Sequence, residues 1–177
     1  MTWGIITIGG VNYNLTHLDS FVMSVTPSVA GAAARRVLVN FGHHCFTRDV
    51  RAGDTAEMTV HHKRHQNDAR SFCSQRYTHS LSLPTIIRTA ASGRAYFGQA
   101  QAWRSQNYLL VENLPGMVGP YAVFFDMMQS HSKNLDVVMF VNSAYEKPNL
   151  PPRLRSLPFA TLVATIAAGN PVIKPKK

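Results

Sequence analysis

The chain is poor in cysteine and in acid, and it has no long apolar run. Its two cysteines, Cys45 and Cys73, are too few for a disulfide framework. Nine Asp and Glu, widely separated along the 177 residues, leave little from which to build a carboxylate-held two-metal centre. No apolar stretch reaches the roughly 18 residues that a bilayer-spanning helix needs. Met1–Gly10 lacks the basic lead and long apolar core of a secretory signal, so a cytoplasmic protein with reduced thiols and no membrane association is expected. A GxxxxGK[ST] loop and a GxGxxG turn after a strand are both missing, which excludes the common phosphate cradles. Ser143 does not sit in a GxSxG elbow, which argues against a serine hydrolase. No cofactor is expected.

What is present is hydrophobic residues and positive charge. A hydrophobic fraction of 45% in 19.6 kDa suits a single folded domain spanning 1–177. Eighteen Lys and Arg give a formal net charge of +9 and a sequence pI near 10.0, the balance of a protein with an anionic partner. Nucleic acid is the expected partner, RNA before DNA. The excess is uneven. Residues 35–94 carry ten basic and four acidic residues, and 147–177 carry six basic and no acidic ones. Residues 1–34 hold a single acid and no Lys or Arg, and 95–146 hold two basic residues against four acids. Folded onto one face, the two basic segments would make salt-sensitive phosphate contacts. Scattered, they are solvated surface and a free tail at Lys174, Lys176 and Lys177.

The order of elements predicts an α+β fold. Residues 1–62 read as β-rich: Trp3–Ile8 and Val11–Leu15 flank Gly9-Gly10, a two-residue hairpin signal. Ser20–Val25 and Arg35–Phe41 follow as strands, and Met58–His62 as a short one. Residues 68–92 read as helical, with Asp68 as N-cap, Pro84 opening a second turn set after a break near Leu83, and Gly93 as stop. Arg94–Gln99, Tyr108–Glu112, Tyr121–Met127 and Val137–Ser143 form an antiparallel meander over 94–145, because the gaps between them are short. The segment 148–177 is Pro-rich, then a short buried helix at Phe159–Ala168, then a basic tail. The expected architecture is helices packed on a mainly antiparallel sheet with an N-terminal β extension.

Four constellations carry possible chemistry. Gly42-His43-His44-Cys45-Phe46-Thr47-Arg48 follows a strand ending at Phe41, which places it at a strand end or loop mouth. There, His44 or His43 would exchange protons near neutral pH and Arg48 would grip a phosphate with its planar fork. The same residues also fit an ordinary hydrogen-bonded turn. His61, His62 and His65 lie beside Lys63 and Arg64, but without paired ligands or the glutamate of HExxH they fit polyanion contact better than zinc. The helical stretch offers Arg70, Arg76 and His79, either as cations for RNA or as stems covering the sheet. Lastly, Val137–Val141 runs into Ser143, Tyr145 and Lys147, with Arg153 near in sequence; these would orient a phosphate, or cap the strand exit.

Taken together, His44–Arg48, Arg76-Tyr77 with Ser80 and Leu83-Pro84, Tyr121 with Phe125, and Val141 with Ser143–Tyr145 resemble a group of small bacterial and phage-borne proteins. Some of these go by the name of stationary-phase growth adaptation proteins. More loosely, the order of elements over 68–145 is similar to the fold of barnase, EndoU, colicin and RelE-type ribonuclease toxins. In that fold, helices precede a four-stranded antiparallel sheet. This likeness implies metal-independent RNA cleavage with His, Arg, Tyr or Ser on the sheet, and a neutralising protein partner. The expected function is thus a metal-independent ribonuclease with His44 (or His43), Arg48, Tyr145 and Ser143 in the chemistry. Arg70, Arg76, His79, Lys147 and Arg153 would hold the nucleic acid. Two other readings are a non-catalytic binder of nucleic acid or protein, of phage or defence origin, and an assembly protein whose basic residues face a partner subunit.

Overall fold

The structure is a computed structural model that describes residues 1–27, 29, 31–61, 69–97, 108–150 and 155–173. Two strands open the chain, β1 (Ile5–Ile8) and β2 (Val11–Asn14), paired antiparallel from Ile5↔Asn14 to Ile8↔Val11. Gly9 and Gly10 make the turn at φ +54° and +76°, a pair of left-handed conformations that favours glycine and matches the twist of the hairpin. Next come β3 (Phe21–Val25) and β4 (Arg35–His44), whose alternate residues Val37, Val39 and Phe41 are fully buried. Three short strands, β5 (Thr47–Arg48), β6 (Thr59–His61) and β7 (Ala69–Phe72), pair antiparallel in the order β5-β7-β6.

Helices α1 (Ser74–Ser80) and α2 (Leu83–Thr89) follow, with Pro84 in the first turn of α2. A 3-10 turn, Ala90–Ser92, ends at Gly93. The meander is β8 (Arg94–Phe97), β9 (Tyr108–Glu112), β10 (Tyr121–Gln129) and β11 (Val137–Glu146). Strand β12 (Ser156–Pro158) leads into helix α3 (Phe159–Ala167), which buries Phe159, Leu162, Val163 and Ile166.

The fold is α+β: helices on a mainly antiparallel sheet. Seven strands form that sheet in the order β12-β8-β9-β10-β11-β4-β3. Among its strand pairs, β11 and β4 run parallel, from Val137↔Val37 to Ser143↔His44. A β-bulge shifts the register of β11 between Val141 and Ser143. Gly42 faces it, and a Cβ built there would lie 3.1 Å from the Asn142 carbonyl oxygen, so the missing side chain lets the two backbones close. The bulge moves the buried position from Val141 to Ala144, which leaves Tyr145 half-buried at the end of β11.

Several expectations are corrected. The N-terminal strands do not all form an extension, because β3 and β4 complete the main sheet. Strand β4 runs on past Phe41 and ends at His44, so of the two expected placements His43 and His44 take the strand end and not the loop mouth. Residues 69–72 are strand, not helix: Ser71 and Phe72 pair with Arg48 and Thr47, and α1 begins only at Ser74. Arg70 therefore sits on β7. Strand β12 was not foreseen; it adds to the sheet edge by pairing Ser156 with Tyr96. His62, His65, Asp68 and the basic tail lie outside the described residues. No helix of the described residues is long and apolar enough to cross a membrane.

Candidate phosphate-binding cleft

A cleft of about 460 Å³ opens where α1 meets the end of β11 and the turn after β5. Its walls are Arg48, Arg51, Cys73, Ser74, Gln75, Arg76, His79, Tyr145 and Glu146. Local folding explains how they meet. Cys73 precedes α1 and accepts from the amide of Tyr77 while donating its own N–H to the Phe46 carbonyl at 3.0 Å, which docks the helix start against the β4–β5 turn. Helical spacing then carries Arg76 and His79 along one side of α1, three residues apart.

Arg76 is anchored from below. Its Nη1 donates to the carbonyl oxygens of Thr47 at 2.7 Å and His44 at 3.2 Å. Its guanidinium carbon lies 4.8 Å from the centre of the Tyr145 ring, a cation–π contact. Tyr145 in turn stacks on Phe124 at 5.3 Å, and the Lys147 ammonium lies 5.6 Å from the Phe124 ring. Burial lowers the pKa of the Arg76 guanidinium from its ordinary value. It nonetheless stays a cation at any physiological pH.

Arg48 is closed by its own neighbours. Its Nη1 and Nη2 donate to the two carboxylate oxygens of Asp54 at 2.7 and 2.6 Å, and Nη1 also donates to the Asp49 carbonyl. Ser71 Oγ and the Arg51 amide add two more donors to Asp54, whose side chain is only 8% exposed. These bonds, Arg48 first, hold the Asp54 carboxyl well below the usual carboxylate range. Arg70 is tied in the same way: its Nη1 donates to Asp49 at 2.7 Å.

The structure divides the predicted residues. It brings Arg48, Arg76, His79 and Tyr145 to one cleft, with Lys147 beside Tyr145. His44 and Ser143 are cross-strand partners at the ends of β4 and β11, and neither lines the cleft; His44 contributes its carbonyl beneath Arg76. His43 is 2% exposed, its ring 4.5 Å from that of His44 and its carbonyl capped by Thr47 Oγ1 at 2.8 Å. The imidazole at the cleft is therefore His79, and the guanidinium set to meet a ligand is Arg76 and not Arg48. Arg153 lies outside the described residues.

Sequence reasoning missed Arg51, Cys73, Ser74, Gln75 and Glu146. Of these, Glu146 carried a signal, since it lies in the polar run Asn142–Lys147 that follows the apolar strand. Glu146 accepts from the amides of Val118 and Gly119 at 2.6 and 2.7 Å, which fastens the loop before β10 to the cleft edge.

Beneath the cleft lie two buried titratable groups. Burial pushes the Cys45 thiol up to about 12, and its sulfur lies 3.8 Å from the Val141 carbonyl. The Tyr121 ring meets that of His79 edge-on at 5.9 Å, and burial raises its phenol far above the ordinary value. Among the described residues, no group of three His, Cys, Asp or Glu is placed to hold a metal ion.

No curated protein and no solved structure matches the chain. A family model does, over residues 5–167, a span that takes in both the sheet and the cleft: the chain belongs to the YjaZ family.

Proposed function

We propose that this protein binds RNA through the cleft and cleaves it without a metal ion. The carrying observation is the convergence of Arg76, His79 and Tyr145 on one hollow of a chain with net charge +9. Arg76 is pre-oriented by two carbonyls and an aromatic ring, so little side-chain freedom is lost when a phosphate binds. In the reaction, His79 takes the proton of the ribose 2′-hydroxyl. The 2′-oxygen bonds to phosphorus, the bond from phosphorus to the 5′-oxygen breaks, and that oxygen takes the phenolic proton of Tyr145. Arg76 balances the charge that develops on the phosphorane. These roles replace the expected ones of His44, which does not line the cleft, and of Arg48, which lines it with its fork held by Asp54. The likeness to metal-independent ribonuclease toxins agrees with this reading.

One observation favours binding without turnover. Among the described residues His79 is the only imidazole lining the cleft, and the Glu146 carboxylate there is engaged by two backbone amides, so Tyr145, a weak acid, would have to serve as the second group. Incubation with total RNA in EDTA separates the two. Cleavage by the wild type that is lost in His79→Ala, with binding retained, supports the enzyme. Salt-dependent binding with no cleavage in either protein assigns a binder.

A further inference from the structure

We infer that the cleft takes one nucleotide unit with a single phosphate, free or within a single strand, and does not track the backbones of a duplex. This deepens the reading of the cleft as an RNA site and rests on it.

Charge available to a ligand is the first ground. Arg48 is closed bidentately by Asp54, and Arg70 donates through Nη1 to Asp49 and through Nε to Thr47 Oγ1, so both guanidiniums already have protein partners. Arg76 differs. Its Nη1 is used by two carbonyls, while among the described residues its Nε and Nη2 carry no hydrogen bond. An adjacent pair of N–H donors on a planar fork is the geometry that grips one phosphate through two oxygens. The Glu146 carboxylate lines the same cleft and repels a second phosphate there. A duplex-tracking protein needs the reverse, a row of unpaired cations meeting roughly six to ten phosphates.

Size is the second ground. At about 460 Å³ the cleft lies in the range of pockets that enclose one small-molecule-sized group. Ser74 and Gln75 supply neutral donors and acceptors on its wall, suited to a ribose or base edge. The Tyr145 ring already carries Arg76 and Phe124, so it positions the guanidinium and is not a stacking platform for successive bases.

Fluorescence anisotropy with a labelled single-stranded oligoribonucleotide and a blunt RNA duplex of the same length, across a salt series, tests this. Adenosine 5′-monophosphate serves as competitor. The single strand is expected to bind at least about tenfold tighter than the duplex. Its log K should fall against log salt with a slope of about −0.7 to −1.4, the value for one or two phosphate contacts. Binding of the nucleotide in a direct calorimetric titration, with no strand binding, would assign the free nucleotide as ligand and end the RNA reading. Equal duplex affinity with a slope steeper than about −3 would overturn the single-unit inference while leaving the cleft an RNA site. If neither RNA nor nucleotide binds, or if binding survives Arg76→Ala unchanged, the cleft is not the site at all. Arg51→Ala, at an exposed turn position, gives the same readout if Arg76→Ala fails to fold.

Discussion

One antiparallel ladder, β10 against β11, ends in two hollows, one beside a charged helix and one beside an uncharged helix. At the Tyr121↔Glu146 end lies the cleft with Arg76, His79 and Tyr145. At the Gln129↔Val137 end, Met127, Met128 and Gln129 line a hollow of about 310 Å³ with Tyr108, Ile166, Gly169, Asn170 and Val172, a mixed polar and apolar lining without a charged residue. The ladder is not what differs. What differs is the helix packed beside each end. α1 carries Arg76 and His79, whereas α3 has no charged residue and buries five of its nine. Under the proposed function the cationic end serves a ligand, while the uncharged end contributes to stability through the residues that α3 buries. Each end should therefore respond to a different perturbation.

The largest expected effect breaks the uncharged end alone. Ile166 is 8% exposed, and Ile166→Ala removes buried methyl groups and leaves a cavity, at a cost of about 2–5 kcal/mol in unfolding free energy. Chemical denaturation should show this loss while RNA affinity of the folded protein stays unchanged. A parallel fall in affinity would mean that the two ends are coupled through the ladder, and the contrast drawn here would fail.

Next in size is Asp54→Asn, which unlocks the cationic end. The folded-state pKa of Asp54 lies below its unfolded value, so its carboxylate contributes stability above the ordinary carboxylate range. That contribution fades as pH falls toward the folded value. The variant should be less stable at neutral pH and should lose part of the acid-side decline seen in the wild type. It also leaves the Arg48 fork without its carboxylate partner, so the salt slope of RNA binding should steepen by about 0.7, one further phosphate contact. Thermal melts across pH and the anisotropy salt series check the two halves. A melt profile of unchanged shape would show that the pair stabilises nothing.

Most of this contrast was legible in the sequence as composition, and little of it as geometry. Period-two patterns located the meander strands, and Pro84 and Gly93 bounded α2 and the turn after it, because those signals act within a few residues. The parallel pairing of β4 with β11 joins residues about a hundred apart in the chain, and no local pattern encodes it. Arg70-Ser-Phe72 has a period that fits helix or strand equally, and tertiary pairing with Thr47 and Arg48 decided for strand. The same limit governed the site. Arg76 and His79 stood out as cations on a helix, but His44 and Arg48 looked more reactive because they crowd together in sequence. Whether Arg48 is available depends on Asp54, and only the folded turn brings that carboxylate to it.

The smallest effect tests where the cationic end stops. Tyr121 is fully buried behind His79, and its hydroxyl finds no hydrogen-bond partner among the described residues. A buried hydroxyl in that state costs about 1–3 kcal/mol, whereas the ring itself packs in the core and is retained in phenylalanine. Tyr121→Phe should therefore raise stability by about 1 kcal/mol and leave RNA affinity as it was. The sign is what decides. A stabilised variant places the boundary of the cleft at His79, with the buried Tyr121 ring as its apolar floor. A destabilised one, above all with weakened RNA binding, would show that the phenol works through the His79 ring. The cationic end would then reach a layer deeper into the sheet than Arg76, His79 and Tyr145.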